Sequence, residues 1–266
     1  VLFLIITQKK TEEKMSKPLI LITNDDGVFS KGISELIKLV RPLGEILVVA
    51  PDKARSGQSS ALTVTRPLLY DDIQVEDGLR IISCTGTPAD CVKLAFSRQL
   101  PDVERVPDLV LSGINHGSNS SINVIYSGTM GAAIEGALHR APSIGLSLCD
   151  HSDDADFSQA LPHFRHIVER VLAWSLPQGV CLNVNAPVGE IKGIKVCRQA
   201  PGLWSNEFMK TLTPFDKHCF WLTGSFSNEE PGAVDTDEWA LGEGFISVQP
   251  VQTDLTDYNL LKTLTF

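Results

Sequence analysis

Residues 18–51 read PLILITNDDGVFSKGISELIKLVRPLGEILVVAP, and they decide the fold. Residues 18–23 are a continuous apolar run without alternation, the pattern of a strand covered on both faces. Ile33, Leu36, Ile37 and Val40 then recur at helical spacing, and Pro42 with Gly44 stop the helix. Residues 45–50, EILVVA, are a second buried run that ends at Pro51. Strand, helix and strand in immediate succession form a βαβ unit, which requires a parallel sheet with a right-handed crossover.

Working outward, the same pattern repeats. Alternation over 61–70 and a short apolar stretch over 79–84 predict two short strands, a hairpin at the sheet edge. In GTPADCVKLAF, Thr87 is placed to cap a helix whose first turn holds Pro88 and Asp90. Residues 108–112, DLVLS, are a buried strand that breaks into the loop GINHGSNSSINVIYSG, and a helix over 129–139 follows at once. Further strands are expected at 143–149 and 180–184, with a helix over 161–174 between them. Beyond Pro187 the texture changes: Trp204, Phe208, Phe215, Phe220 and Trp221 stand among turn residues and short alternating stretches. The expected fold is therefore α/β, a mostly parallel sheet flanked by helices, with a C-terminal extension of hairpins placed for oligomer contacts. The expected divisions are an N-terminal extension at 1–14, an α/β catalytic core at 15–187, and an extension at 188–266 that partly returns to the core.

At 266 residues, 43% hydrophobic and 21% charged, the chain has the composition of an ordinary globular protein. A formal charge of -9 excludes a surface built to neutralise a long phosphate backbone, so no nucleic-acid polymer is expected as a partner. The opening VLFLIITQKKTEEK places its charges after its apolar residues, the reverse of a secretory signal, and it is too short to cross a bilayer. Met15 followed by SKPLILIT reads as a natural start, so residues 1–14 are left out of the fold and expected to be disordered. Six scattered cysteines without metal-ligand spacing suit reduced thiols in a cytoplasmic protein, with no membrane partner.

In an open parallel sheet, ligands sit at the carboxyl ends of the strands. The loops to inspect are 24–27 (NDDG), 52–60 (DKARSGQSS), 86–91 (GTPADC) and 112–119 (SGINHGSN). Two carboxylates with Ser and Asn oxygens form a hard donor set that suits Mg²⁺, Mn²⁺ or Ca²⁺ better than zinc. The candidates are Asp25, Asp26, Ser56 and Asn115. Taken alone, the acidic pair is equally a turn and helix cap. Ser127, Gly128 and Thr129 begin a helix whose free N–H groups favour an anion, and ordinary capping is the competing reading. A metal edge and an anion nest on one face point to a phosphate monoester. His116 is expected to be a solvated loop histidine, Lys53 and Arg55 a basic loop, and His163, His166 and Glu169 a surface group. No GxSxG elbow, GxxxxGK[ST] loop or complete GxGxxG after the first strand is present. A receiver-type signalling module also carries an early acidic pair, but residues 84–85 and 112–115 lack the Asp and Lys it needs. A non-catalytic nucleotide-binding protein is a third reading.

The assembled loops resemble the SurE family of metal-dependent 5′-nucleotidases. The resemblance rests on LITNDDGVFSKGI at 21–33, VVAPDKARSGQSSALT at 48–63, GTPADCV at 86–92, LVLSGINHGSN at 109–119, VIYSGTMGAAIEG at 124–136, CLNVNAP at 181–187 and GFISVQPVQTDLT at 244–256. It implies a Rossmann-like α/β core, a C-terminal extension of strands and a helix used in dimer or tetramer contacts, and hydrolysis of nucleoside monophosphates with one divalent cation, commonly Mg²⁺ or Mn²⁺. Activity on 3′-nucleotides and short polyphosphate occurs in some members. Metal ligands fall on Asp25, Asp26, Ser56 and Asn115, the acidic pair being catalytic, and Asn24, Gly27, Asn115, Ser127, Gly128 and Thr129 fall where the family lines its phosphate site. The chain departs from the family at His116, at NSSINV, and between Ala200 and Asp237.

Overall fold

The computed structural model describes residues 17–266, so the extension expected at 1–14 lies outside the described residues. The chain builds β1 (Leu19–Thr23), α1 (Lys31–Val40), β2 (Glu45–Pro51), β3 (Tyr70–Glu76), β4 (Leu79–Cys84) and α2 (Pro88–Phe96). There follow β5 (Leu109–His116), α3 (Asn123–Tyr126), α4 (Gly128–Leu138), β6 (Ser143–Leu148), α5 (Leu161–Trp174) and β7 (Val180–Ala186). The extension supplies β8 (Gly193–Val196), β9 (Gly202–Ser205), β10 (Phe208–Leu212), β11 (His218–Leu222), β12 (Ser225–Asn228), α6 (Asp237–Gly242) and β13 (Phe245–Gln252).

Nine strands form the main sheet in the order β3-β4-β2-β1-β5-β6-β7-β13-β8, as the apolar runs require. Every residue of β1 is buried because the strand is covered twice. Ile20 and Ile22 join the cluster under α1 and α5, while Leu19 and Leu21 join the one under α2 and α4. Burying one such side chain stabilises by roughly 1.5–3 kcal/mol, so the central strand has little freedom to slip.

Register then positions the site. Leu19 pairs with Glu45 on one side of β1, and Thr23 pairs with Ser112 of β5 on the other, all in parallel. The chain leaves β1 towards β2 and later passes across it to β5 and β6. The boundary between β1 and β5 is therefore the switch point, where loops diverge and leave a crevice.

The expected hairpin exists as β3 and β4, paired antiparallel at the sheet edge. The strand predicted from residue 61 instead begins at Tyr70, because a bend at Thr65 and Arg66 leads into Pro67, which has no N–H for a ladder. In the extension, β13 pairs antiparallel with β7 and parallel with β8, so part of it completes the main sheet. The strands β10 and β11 pair with each other, as do β9 and β12. The buried carboxylate of Asp237 ties extension to core, accepting N–H bonds from Ser121 at 2.8 Å and Ala200 at 2.8 Å.

Candidate active site

The NDDG loop is built by Asn24. Its side-chain oxygen accepts the Gly27 N–H at 3.2 Å, and its amide donates to the Gly27 carbonyl at 2.9 Å and to Ser30 Oγ at 2.8 Å. Gly27 is held at φ +99°, and a Cβ there would meet the Lys53 backbone at 3.2 Å, so the turn admits only glycine comfortably. Ser30 caps α1 by accepting from the Ile33 N–H. The acidic pair therefore does not cap that helix, which removes the structural reading open from sequence. Asn24 and Gly27, expected at a phosphate site, are both committed to shaping this turn.

Asp25 points towards α4. Its Oδ1 accepts the Thr129 hydroxyl at 2.5 Å, and the Thr129 main-chain N–H also favours its charged form. A Cβ on Gly128 would stand 3.0 Å from Asp25 Oδ2, so glycine lets the helix terminus close on the carboxylate. Ser127 caps the helix, its Oγ accepting from the Met130 N–H at 3.0 Å. Thus the anion at this helix terminus is first of all Asp25 itself, with the macrodipole favouring its charge. Burial still wins: it pushes the Asp25 carboxyl up to about 6, the charge of Asp26 adds to the rise, and Thr129 opposes it.

Asp26 points to the other side. Its Oδ2 accepts from the His116 main-chain N–H at 3.3 Å and faces His116 Nδ1 at 3.1 Å. His116 is not the solvated loop residue expected: its ring packs edge-on against Phe157 at 5.3 Å, and Nε2 is enclosed without a partner. A register irregularity between Ser112 and Asn115 turns the end of β5 towards the crevice. The Asn115 amide donates to the Gly117 carbonyl at 2.8 Å, which leaves its Oδ1 as an open acceptor. The loop after β2 is docked by the Arg55 N–H on the Asp25 carbonyl at 2.6 Å, and Ser56 follows, exposed. Arg55 itself is structural, since its guanidinium donates to Asp52 at 3.0 Å and to the Thr85 carbonyl at 2.9 Å. A cavity of about 610 Å³ opens beside Asp26, lined by Gly27, Lys53, His116 and His151.

Each acidic side chain thus has one oxygen held by protein donors and one left open. Among the described residues no Lys or Arg forms an ion pair with either, and His116 is the one charged-type partner of Asp26. Two adjacent carboxylates, one fully buried, without a cation are costly. The open atoms are all oxygens, a donor set that fits a hard divalent cation. No group of three or more His, Cys, Asp and Glu with metal-binding geometry occurs among the described residues, and Glu169 pairs with Arg165 at 2.6 Å. Sequence reasoning missed the His116 contact and the double use of Thr129. Both depend on distant segments meeting, and only the expectation that two loops share one edge pointed that way.

Comparison with known proteins identifies the family. A sequence model of the family described as Survival protein SurE matches residues 20–206. A Phocaeicola vulgatus protein named 5′-nucleotidase SurE is 53% identical, covering 94% of this chain and 97% of that protein. The 5′-nucleotidase SurE of Bacteroides thetaiotaomicron is 52% identical over 93% of this chain and 95% of its own. The crystal structure of the SurE protein from Aquifex aeolicus superposes with a TM-score of 0.78 at 37% identity, covering 93% of this chain and 98% of that one. The chain belongs to the SurE family.

Proposed function

We propose that the chain is a 5′-nucleotidase, a divalent-metal-dependent phosphomonoesterase that releases phosphate from nucleoside 5′-monophosphates. The observation that carries the metal reading is the pair Asp25 and Asp26, each with one oxygen fixed and one open, the first buried and the second half-buried, without a Lys or Arg partner among the described residues. Asp25, Asp26, Ser56 and Asn115 would hold the ion. Mg²⁺ or Mn²⁺ fits this set, with Ca²⁺ as a non-physiological occupant. The nucleotidase reading is supported by relatives of that name at about half identity, aligned nearly end to end.

When bound, the cation supplies positive charge to the phosphoryl oxygens and lowers the pKa of a bound water. The chain's own residues do the rest. The terminus of α4 directs its dipole at the place where negative charge gathers, and the N–H of Gly128 is not taken by the helix ladder. Thr129 holds that terminus against Asp25 while Ser127 caps the helix, so carboxylate and helix terminus are joined. Asn24, Gly27 and Asn115 would line the phosphate site beside it. Further activity on 3′-nucleotides and short polyphosphate is part of the same proposal.

Six unpaired cysteines suit the cytoplasm. No described helix is long and apolar enough to cross a membrane. The hairpin of β10 and β11, with Phe208, Phe220 and Trp221 exposed, supports assembly into a homodimer or homotetramer. The deciding experiment is phosphate release from AMP and GMP with Mg²⁺ or Mn²⁺, before and after chelation. Release that needs the metal is expected, and none with either metal refutes the reading.

A further inference from the structure

The side chain at position 116 is the most heavily engaged group near the carboxylate pair that no part of the proposed chemistry uses. Its main-chain N–H and its Nδ1 converge on the same oxygen, Asp26 Oδ2, at 3.3 and 3.1 Å. The ring is held from the other side by Phe157, itself buried, at 5.3 Å and nearly perpendicular. Nε2 is enclosed and has no partner. A neutral imidazole carries one N–H, and a buried donor without an acceptor is penalised, so the network assigns the proton to Nδ1, facing Asp26. The following residue, Gly117, sits at φ +111° against the His151 ring, which leaves the histidine backbone little room to swing.

We infer that His116 is a positioning residue for the metal-binding carboxylate: by holding Asp26 Oδ2 with two N–H donors it presents the other oxygen, Oδ1, to the cation. This rests on the metal reading of the site. An orienting donor behind a metal ligand is a general device, and its loss typically weakens metal binding about 10–100-fold. The geometry also gives His116 no part as a proton donor to a leaving group, because Nδ1 is committed to Asp26 and Nε2 is enclosed.

Binding of Mn²⁺ followed by electron paramagnetic resonance tests this without turnover. His116→Phe keeps an aromatic ring against Phe157 and removes the side-chain donor, whereas His116→Asn restores an N–H near the position of Nδ1. The Mn²⁺ dissociation constant is expected to rise about tenfold or more in His116→Phe, and to return towards wild type in His116→Asn. Phosphate release by His116→Phe should recover at high Mn²⁺, so the metal requirement moves and kcat does not. Combining His116→Phe with Asp26→Asn should add no further loss, since His116 acts only through the Asp26 carboxylate. Unchanged Mn²⁺ affinity in His116→Phe overturns the inference, as does equal weakening in both single variants, which would make the ring mere packing. A wild-type chain that takes up no Mn²⁺ defeats the metal reading itself, and the inference falls with it. Should His116→Phe fail to fold, His116→Gln gives the same contrast, with its donor one bond too far out.

Discussion

The crevice between β1 and β5 and the hairpin of β10 and β11 break opposite rules of folding. In the crevice, Asp25 is 4% exposed, a carboxylate taken out of water. In the hairpin, Phe208 and Trp221 are 67% and 64% exposed, apolar surface left in water. Neither is accounted for by the single chain. A buried carboxylate needs a positive charge and an exposed aromatic ladder needs a second surface. Under the proposed function the two regions call for different kinds of partner: a small cation in the first, another folded surface in the second.

The largest expected effect lies in the crevice. Asp26→Asn keeps shape and both His116 contacts but removes the charge, so phosphate release from AMP should fall by more than about a thousandfold, some 4 kcal/mol in the barrier. The melting temperature without metal should stay level or rise. A variant that unfolds would show the acidic pair to be structural and would break the comparison at its strong end.

Asp237 ties the C-terminal extension to the core and gives the next largest effect. Its carboxylate accepts from Ser121, Ala200 and Glu238 N–H groups at 2.8, 2.8 and 2.9 Å. Asp237→Ala leaves these donors unpaired at a cost of roughly 1–3 kcal/mol for each that is buried. A fall in melting temperature of about 2–4 °C per kcal/mol is expected for a chain this large. Because Ser121 lies on the loop between Asn115 and Ser127, activity should fall as well. Loss of stability with full activity would show the crevice to be independent of this tie.

Asp25→Asn gives a smaller effect, and one that depends on pH. In the folded metal-free chain burial raises this carboxyl from 3.8 to about 6, so the folded state binds the proton more tightly than the unfolded. The contribution to stability is then fully present below the unfolded value and is lost as pH rises through the folded one. Urea unfolding in chelator should find wild type less stable than Asp25→Asn at pH 7.5, by on the order of 1–3 kcal/mol. The gap should close as pH falls through 6 towards 3.8, and saturating Mg²⁺ should reverse its sign. A gap independent of pH would remove burial as the cause.

Legibility followed the same division. Residues 18–23 and 108–112 read as buried strands because both faces are covered and the apolar runs within them are unbroken. Thr87 read as a cap because capping is local, and it forms the reciprocal box with Asp90. The set Asp25, Asp26, Ser56 and Asn115 was legible as loops at one sheet edge. The bond from His116 to Asp26 spans 90 positions and leaves no trace in local pattern. Thr129, read as an anion-binding residue, turned out to hold Asp25 across 104 positions, equally beyond any periodicity. In the hairpins, alternation was visible but not what covers it, since the strands β10 and β11 have exposed residues on both faces.

The smallest effect on the folded chain belongs to that hairpin, and it is the one that tests the comparison most directly. Phe208 and Phe220 pack edge to face at 6.4 Å, but both remain largely exposed. By contrast the neighbouring pair β9 and β12 is anchored: Trp204 packs on Phe226 at 5.8 Å and donates through Nε1 to Asn123 at 2.9 Å. Replacing Phe220 and Trp221 together by Ser removes apolar surface that the single chain does not bury, so unfolding at high dilution should change by no more than about 0.5 kcal/mol per site. Sedimentation at working concentration should shift to a smaller species, and the dependence of melting temperature on protein concentration should vanish with it. Metal affinity should be untouched, because the proposed ligands Asp25, Asp26, Ser56 and Asn115 all lie outside this hairpin. If the double variant instead unfolds the isolated chain, the rings belong to its own core, and the exposed hairpin is not a surface awaiting a partner.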